Sequence, residues 1–154
     1  MKPRAVLMGE IRYAIRLTER TARLYRRVQT VGVFLSIVGG SGALSLMSAH
    51  VPTWIGMTGS IVLALSGAAL IAIRPADKAA QNEYDKRRYA TLIAKQINLT
   101  DEQLSAAIDE AHQGDVQEVE PLRAVAYNDV ALELNRPDQI IPLSPVQRLL
   151  AALA

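Results

Sequence analysis

No lysine, arginine, aspartate or glutamate occurs between Arg27 and Arg74, although the chain carries 17 basic and 15 acidic residues in all. A water-soluble domain of 154 residues places charge on the outer face of nearly every helix, so residues 28–73 exclude an ordinary soluble fold. A membrane-spanning helix needs about 20 apolar residues at roughly 1.5 Å each, and the block has room for two. The stretch Ser48-Ala49-His50-Val51-Pro52-Thr53 supplies the break, because Pro52 cannot donate a helical hydrogen bond. The spans are expected over residues 28–49 and 54–73, with Trp54 as an interfacial anchor beside the loop. A cleaved signal peptide fits poorly, since its apolar core would be shorter and no second span would follow. The competing expectation is a buried hairpin inside a soluble protein.

Charge around the block is asymmetric. Residues 1–27 carry Lys2, Arg4, Arg12, Arg16, Arg20, Arg23, Arg26 and Arg27 against Glu10 and Glu19. Residues 74–95 are again basic, whereas residues 96–154 hold three arginines against ten acids. The net charge of +2 and a pI near 9.1 could suggest nucleic acid. Basic charge on both flanks of an apolar block instead marks juxtamembrane segments, and no nucleic-acid partner is expected. The positive-inside rule then puts both termini in the cytoplasm and a loop of about six residues outside. With no cysteine and only His50 and His112, thiol catalysis and Cys-based zinc sites are excluded. Asp101, Glu102, Asp109, Glu110 and His112 read as a solvated helix face rather than metal ligands. No phosphate-cradling glycine loop, nucleophile set or dinucleotide fingerprint occurs, so neither enzyme activity nor a cofactor is expected.

Small residues stand out within the apolar block. Gly56, Ser60, Ala64, Ala68 and Ala72 recur every fourth position, as do Gly32, Ser36 and Gly40, and Ser41, Ser45 and Ala49. Lipid offers little hydrophobic drive between helices, so close approach along such ridges holds them together. Either the small residues serve only to close the hairpin, or the ridges left over receive another subunit and the chain is a homo-oligomer.

The flanks read as helices. Over residues 8–27, Arg12, Arg16, Arg20, Arg23, Arg26 and Arg27 fall with Glu19 in one sector about 120° wide. Such a basic amphipathic helix can lie on an anionic inner leaflet or pack its apolar face on a neighbouring helix. Residues 75–97 read as a stalk helix with Pro75 in its first turn, able to run on from the second span. Its Lys86-Arg87-Arg88 run is expected to be solvated or lipid-facing rather than phosphate-binding. In the tail, Thr100 to Gln103 and Ser144 to Gln147 are capping boxes, Gly114 is a helix stop and Pro121 a helix start. Helices are expected over Asp101–Gln113, residues 122–134 and residues 146–154. The fold class is therefore an all-α membrane protein: an amphipathic helix (1–27), a two-span hairpin (28–73), a cytoplasmic stalk (74–97) and an acidic helical tail (98–154).

Three features together resemble a known family: Tyr25-Arg26-Arg27 before the first span, the Gly/Ser/Ala-rich pair of spans, and Tyr84-Asp85-Lys86-Arg87-Arg88-Tyr89 in the stalk. Over residues 8–97 the layout resembles the SLATT-type (SMODS- and SLOG-associating) two-span membrane proteins of bacterial conflict systems. The resemblance implies a multi-pass protein of the bacterial inner membrane that oligomerises and permeabilises the bilayer in phage defence. The tail from Tyr127-Asn128-Asp129 to Gln147-Arg148-Leu149-Leu150 is similar to one on small two-span proteins of proteobacteria and their phages. Two alternatives remain: a phage-encoded holin or superinfection-exclusion protein, and a non-catalytic accessory subunit that engages a cytoplasmic protein through the acidic tail.

Overall fold

The structure, a computed structural model, describes residues 2–47, 50–116 and 119–154. All regular structure among them is helical: α1 (Arg4–Leu44), α2 (Thr53–Ile73), α3 (Pro75–Lys95), α4 (Asp101–Gln113), α5 (Leu122–Glu133) and α6 (Pro145–Leu153). Short 3-10 turns occupy Ser45–Met47, Gln96–Asn98 and Pro137–Gln139. The basic segment and the first apolar stretch are one uninterrupted helix, α1. Its α-helical part stops at Leu44, and Ala49, the expected end of the first span, lies outside the described residues. Two helical stretches are long and apolar enough to cross a membrane, and only 6% and 11% of their most apolar windows are buried.

The chain forms two compact units, Met1–Leu24 with Lys78–Ala154, and Tyr25–Asp77. In the second unit α2 begins just after Pro52, whose fixed φ suits the residue before a helix. It ends at Arg74, which takes the left-handed conformation (φ 50°) and returns its N–H to Leu70 O. That conformation and the following Pro75 separate α2 from α3, so the stalk does not run on unbroken from the second apolar helix. Arg74 also pairs with Asp77 at 2.7 Å.

The first unit is a small helical bundle. Leu7, Ile11 and Ala14 of α1 pack with Tyr89 of α3 and with Leu104, Ile108 and Ala111 of α4. One turn further along, Leu17 and Leu24 pack with Leu122, Val125 and Ala126 of α5 and with Ala154. The caps that delimit α4 and α6 are local chemistry. Thr100 Oγ1 accepts from Gln103 N while Gln103 Oε1 accepts from Thr100 N, and Ser144 and Gln147 repeat the exchange. Asn128 fastens the segment between α5 and α6 with two bonds of 2.8 Å, donating to Ile141 O and accepting from Ile141 N.

Candidate functional site

Three arrangements carry chemistry that the fold alone does not require: the seam of the apolar hairpin, the basic face of α1, and a buried polar cluster around Tyr89.

Along the seam, contacts advance on α1 as they retreat on α2, so the two helices are antiparallel. A Cβ added to Gly32 would meet the Leu70 side chain at 2.6 Å, and one on Gly39 would meet Leu63 N at 2.6 Å and Gly59 O at 2.8 Å. A Cβ on Gly59 would fall 2.7 Å from the backbone of Gly42, and one on Gly56 would clash with Leu46. Between these glycines Ser36 and Ser66 join hydroxyl to hydroxyl at 2.9 Å, each also bonded back to its own helix. The seam residues of α2 are thus Gly56, Gly59, Leu63, Ser66 and Leu70, alternating steps of three and four. That spacing keeps a row on one face, whereas strict steps of four turn about 40° each and wander off it. Of the small residues singled out in the sequence, Gly32, Ser36 and Gly56 lie on the seam. Ser60 is half-buried and bonds Gly56 O, while Ala64, Ala68 and Ala72 are exposed and Gly40 has open space where a Cβ would stand. Gly39 and Gly59, where an added Cβ would meet backbone rather than side chain, fall outside steps of four because they belong to the three-and-four pattern.

The basic face of α1 meets acids of the tail. Arg20 grips Asp129 with both ends of its fork, Nε to Oδ2 at 2.8 Å and Nη2 to Oδ1 at 3.0 Å, and Nη1 reaches Ala151 O at 3.1 Å. Arg16 donates to Glu133 at 3.0 Å and to Glu19 at 3.3 Å, and Arg12 lies 3.7 Å from Glu133. Arg23 pairs with Glu19 at 3.4 Å, and Lys86 of α3 approaches the same carboxylate at 3.9 Å. Glu133 lifts the Arg16 pKa above its ordinary value, chiefly by hydrogen bonding. Arg26 and Arg27 belong to the other unit and are exposed. At the start of α1, Arg4 binds Asp101 at 2.8 Å and Leu99 O at 3.0 Å, and also Gln96 O. Three of the tail's ten acids, Asp101, Asp129 and Glu133, are thus engaged by α1.

The third arrangement is centred on α3. Asp85 is 3% exposed; its Oδ1 accepts from Arg88 at 3.3 Å and its Oδ2 from Val116 N at 3.4 Å. Arg88 also donates to Ala111 O at 3.0 Å, placing a cation at the carbonyl end of α4. Of the basic run, Lys86 and Arg88 are therefore held by contacts within the unit. Tyr89 is fully buried, donates its hydroxyl to Asp115 Oδ2, and sits 5.7 Å ring to ring from His112. Burial, then the bond to Asp115, pushes the phenol above its ordinary pKa. Burial likewise raises Asp115, with the Tyr89 hydrogen bond opposing. Among the described residues no three His, Asp or Glu side chains are grouped to hold a metal ion. No family model, curated protein or solved structure matches the chain.

Proposed function

We propose that this protein is a non-enzymatic membrane effector: the hairpin inserts in the bacterial inner membrane with both termini cytoplasmic, self-associates and permeabilises the bilayer. The observation that carries the reading is the division of labour on α2. Its Gly56–Leu70 seam closes the hairpin, while Ala64, Ala68 and Ala72 remain exposed for the close approach of a second copy. The spans hold no ionisable side chain, so they offer no selective ion path, and damage comes from oligomers that open a wide gap or thin the bilayer.

The pairing of Arg12, Arg16 and Arg20 with Asp129 and Glu133 suits a quiescent state in which the tail occupies the face that anionic lipid would otherwise attract. This extends the resemblance to SLATT-type proteins, and makes the tail a clamp rather than a docking arm. The test is leakage from vesicles containing phosphatidylglycerol and reconstituted with the full chain. Released carboxyfluorescein, with K⁺ and Na⁺ conducted equally and Asp129→Asn/Glu133→Gln leaking more than the parent, is the expected result. Inserted protein that leaves vesicles tight in both forms overturns the effector reading and puts the accessory-subunit reading first.

A further inference from the structure

We propose that the cavity enclosed by Thr21 of α1, Asn82 and Asp85 of α3, and Asp115 after α4 is a binding site for one small monovalent cation, an alkali ion or hydronium. The cavity measures about 20 Å³, room for a single occupant the size of a water molecule. Among the described residues two wall atoms, Thr21 Oγ1 and Asp115 Oδ1, find no hydrogen-bond partner, and Thr21 is only 1% exposed. Each carries the full cost of leaving water without a partner. An occupant that touches both removes that cost and ties three segments of the chain together.

The donor set selects the occupant. The cavity's polar lining is mostly oxygen: the Thr21 hydroxyl, the Asp85 and Asp115 carboxylates, the Tyr13 phenol and Asn82, whose Nδ2 is committed to Lys78 O at 2.8 Å, with His112 the one ring nitrogen source. Charge points the same way. Two carboxylates face one guanidinium, and Arg88 is already bonded to Asp85 Oδ1 and to the α4 carbonyls. One negative charge is left over, on Asp115. The other titratable groups around it are Tyr13 and Glu10 from α1 with Lys2 before it, Tyr89 from α3, Asp109 and His112 from α4, and Glu120 and Arg123 at the start of α5. Among these, Lys2 pairs with Glu10 and Arg123 with Glu120. Burial of Asp115 and the nearby Asp85 raise its pKa, which is the same deficit of positive charge felt as proton affinity. A carboxyl raised in the folded state stabilises the fold most in acid. That contribution fades as pH climbs from its ordinary 3.8 through the raised value. An alkali ion replaces the proton above that range.

Thermal unfolding of the full chain in dodecylmaltoside, followed by circular dichroism, separates the two sources. Sodium chloride is exchanged for choline chloride at constant ionic strength, at pH 5 and pH 8. Sodium is expected to raise Tm by about 2–4 °C over choline at pH 8, and by less at pH 5. Asp115→Asn should abolish the sodium effect and flatten the pH dependence in choline, while Thr21→Val should shift the sodium midpoint about tenfold higher. A pH slope that Asp115→Asn removes, without any sodium effect, assigns the site to the proton alone. If Asp115→Asn does not fold, broadening of the sodium-23 resonance by the parent protein, and its loss in Thr21→Val, decides the alkali-ion arm. Superimposable sodium and choline curves at both pH values, with no slope that depends on Asp115, leave plain water as the occupant and overturn the proposal.

Discussion

The two units hold their helices together by opposite means. In Tyr25–Asp77 the helices meet where side chains are missing, at Gly32, Gly39, Gly42, Gly56 and Gly59, with one serine pair between them. In Met1–Leu24 with Lys78–Ala154 they meet through large side chains such as Leu7, Ile11, Tyr89, Leu104 and Leu122, rimmed by ion pairs. Water makes burial of bulk profitable, and charge can decorate the rim. A lipid surrounding would gain nothing from burying leucine, so backbone proximity and a hydroxyl bond are what remain to favour one pairing. One helix, α1, serves both regimes, changing character where its arginines stop.

The sharpest way to break this contrast is a single methyl group. Gly59→Ala puts a Cβ 2.7 Å from the Gly42 backbone, which cannot swing aside as a side chain would. The expected cost is about 1–3 kcal/mol or more of hairpin stability, read from dodecyl sulfate unfolding with Trp54, the single tryptophan, as reporter. Gly67→Ala, where the added Cβ meets nothing within 4 Å, should be neutral or stabilising by up to about 1 kcal/mol. Equal behaviour of the two variants would show that the glycine seam does not hold the hairpin.

A smaller effect is expected in the other unit. Asp129→Asn weakens the forked grip of Arg20 and should destabilise the unit by about 1–3 kcal/mol, measured by denaturant unfolding and a double-mutant cycle with Arg20→Gln. Smaller still is Glu133→Gln. Its partners Arg12 and Arg16 are more than a third exposed, so a loss below about 1 kcal/mol is expected, fading with added salt. If salt leaves the Glu133→Gln difference unchanged, the rim pairs are not the screened surface contacts described here.

What the sequence disclosed depended on how local the cause was. Helix α4 starts and stops where Thr100, Gln103 and Gly114 say it should, and α6 follows Ser144, because capping is settled within four residues. The start of α2 behind Pro52 is equally local. The tail's grip on the basic face was not legible, since Arg20 and Asp129 are 109 positions apart and an arginine stripe looks alike whether lipid or carboxylate faces it. The hairpin seam was legible in kind but not in register. Steps of four caught Gly32, Ser36 and Gly56, whereas Gly39, Gly59 and Ser66 follow the three-and-four alternation that keeps a straight helix in contact. Nothing in Asp115 or Thr21 as sequence hinted that both line one cavity, because α1 and the segment after α4 meet only through tertiary packing.

The uncharged hairpin is expected to cross the bilayer, and the ion-paired unit to stay in water on the cytoplasmic side. Because the native chain has no cysteine, single cysteines placed at the exposed positions Thr53 and Asn98 report this directly in intact cells treated with a membrane-impermeant maleimide. The expected result is labelling at Thr53 before lysis and at Asn98 only after it. Labelling of Asn98 in intact cells, or of neither site until lysis, would contradict it.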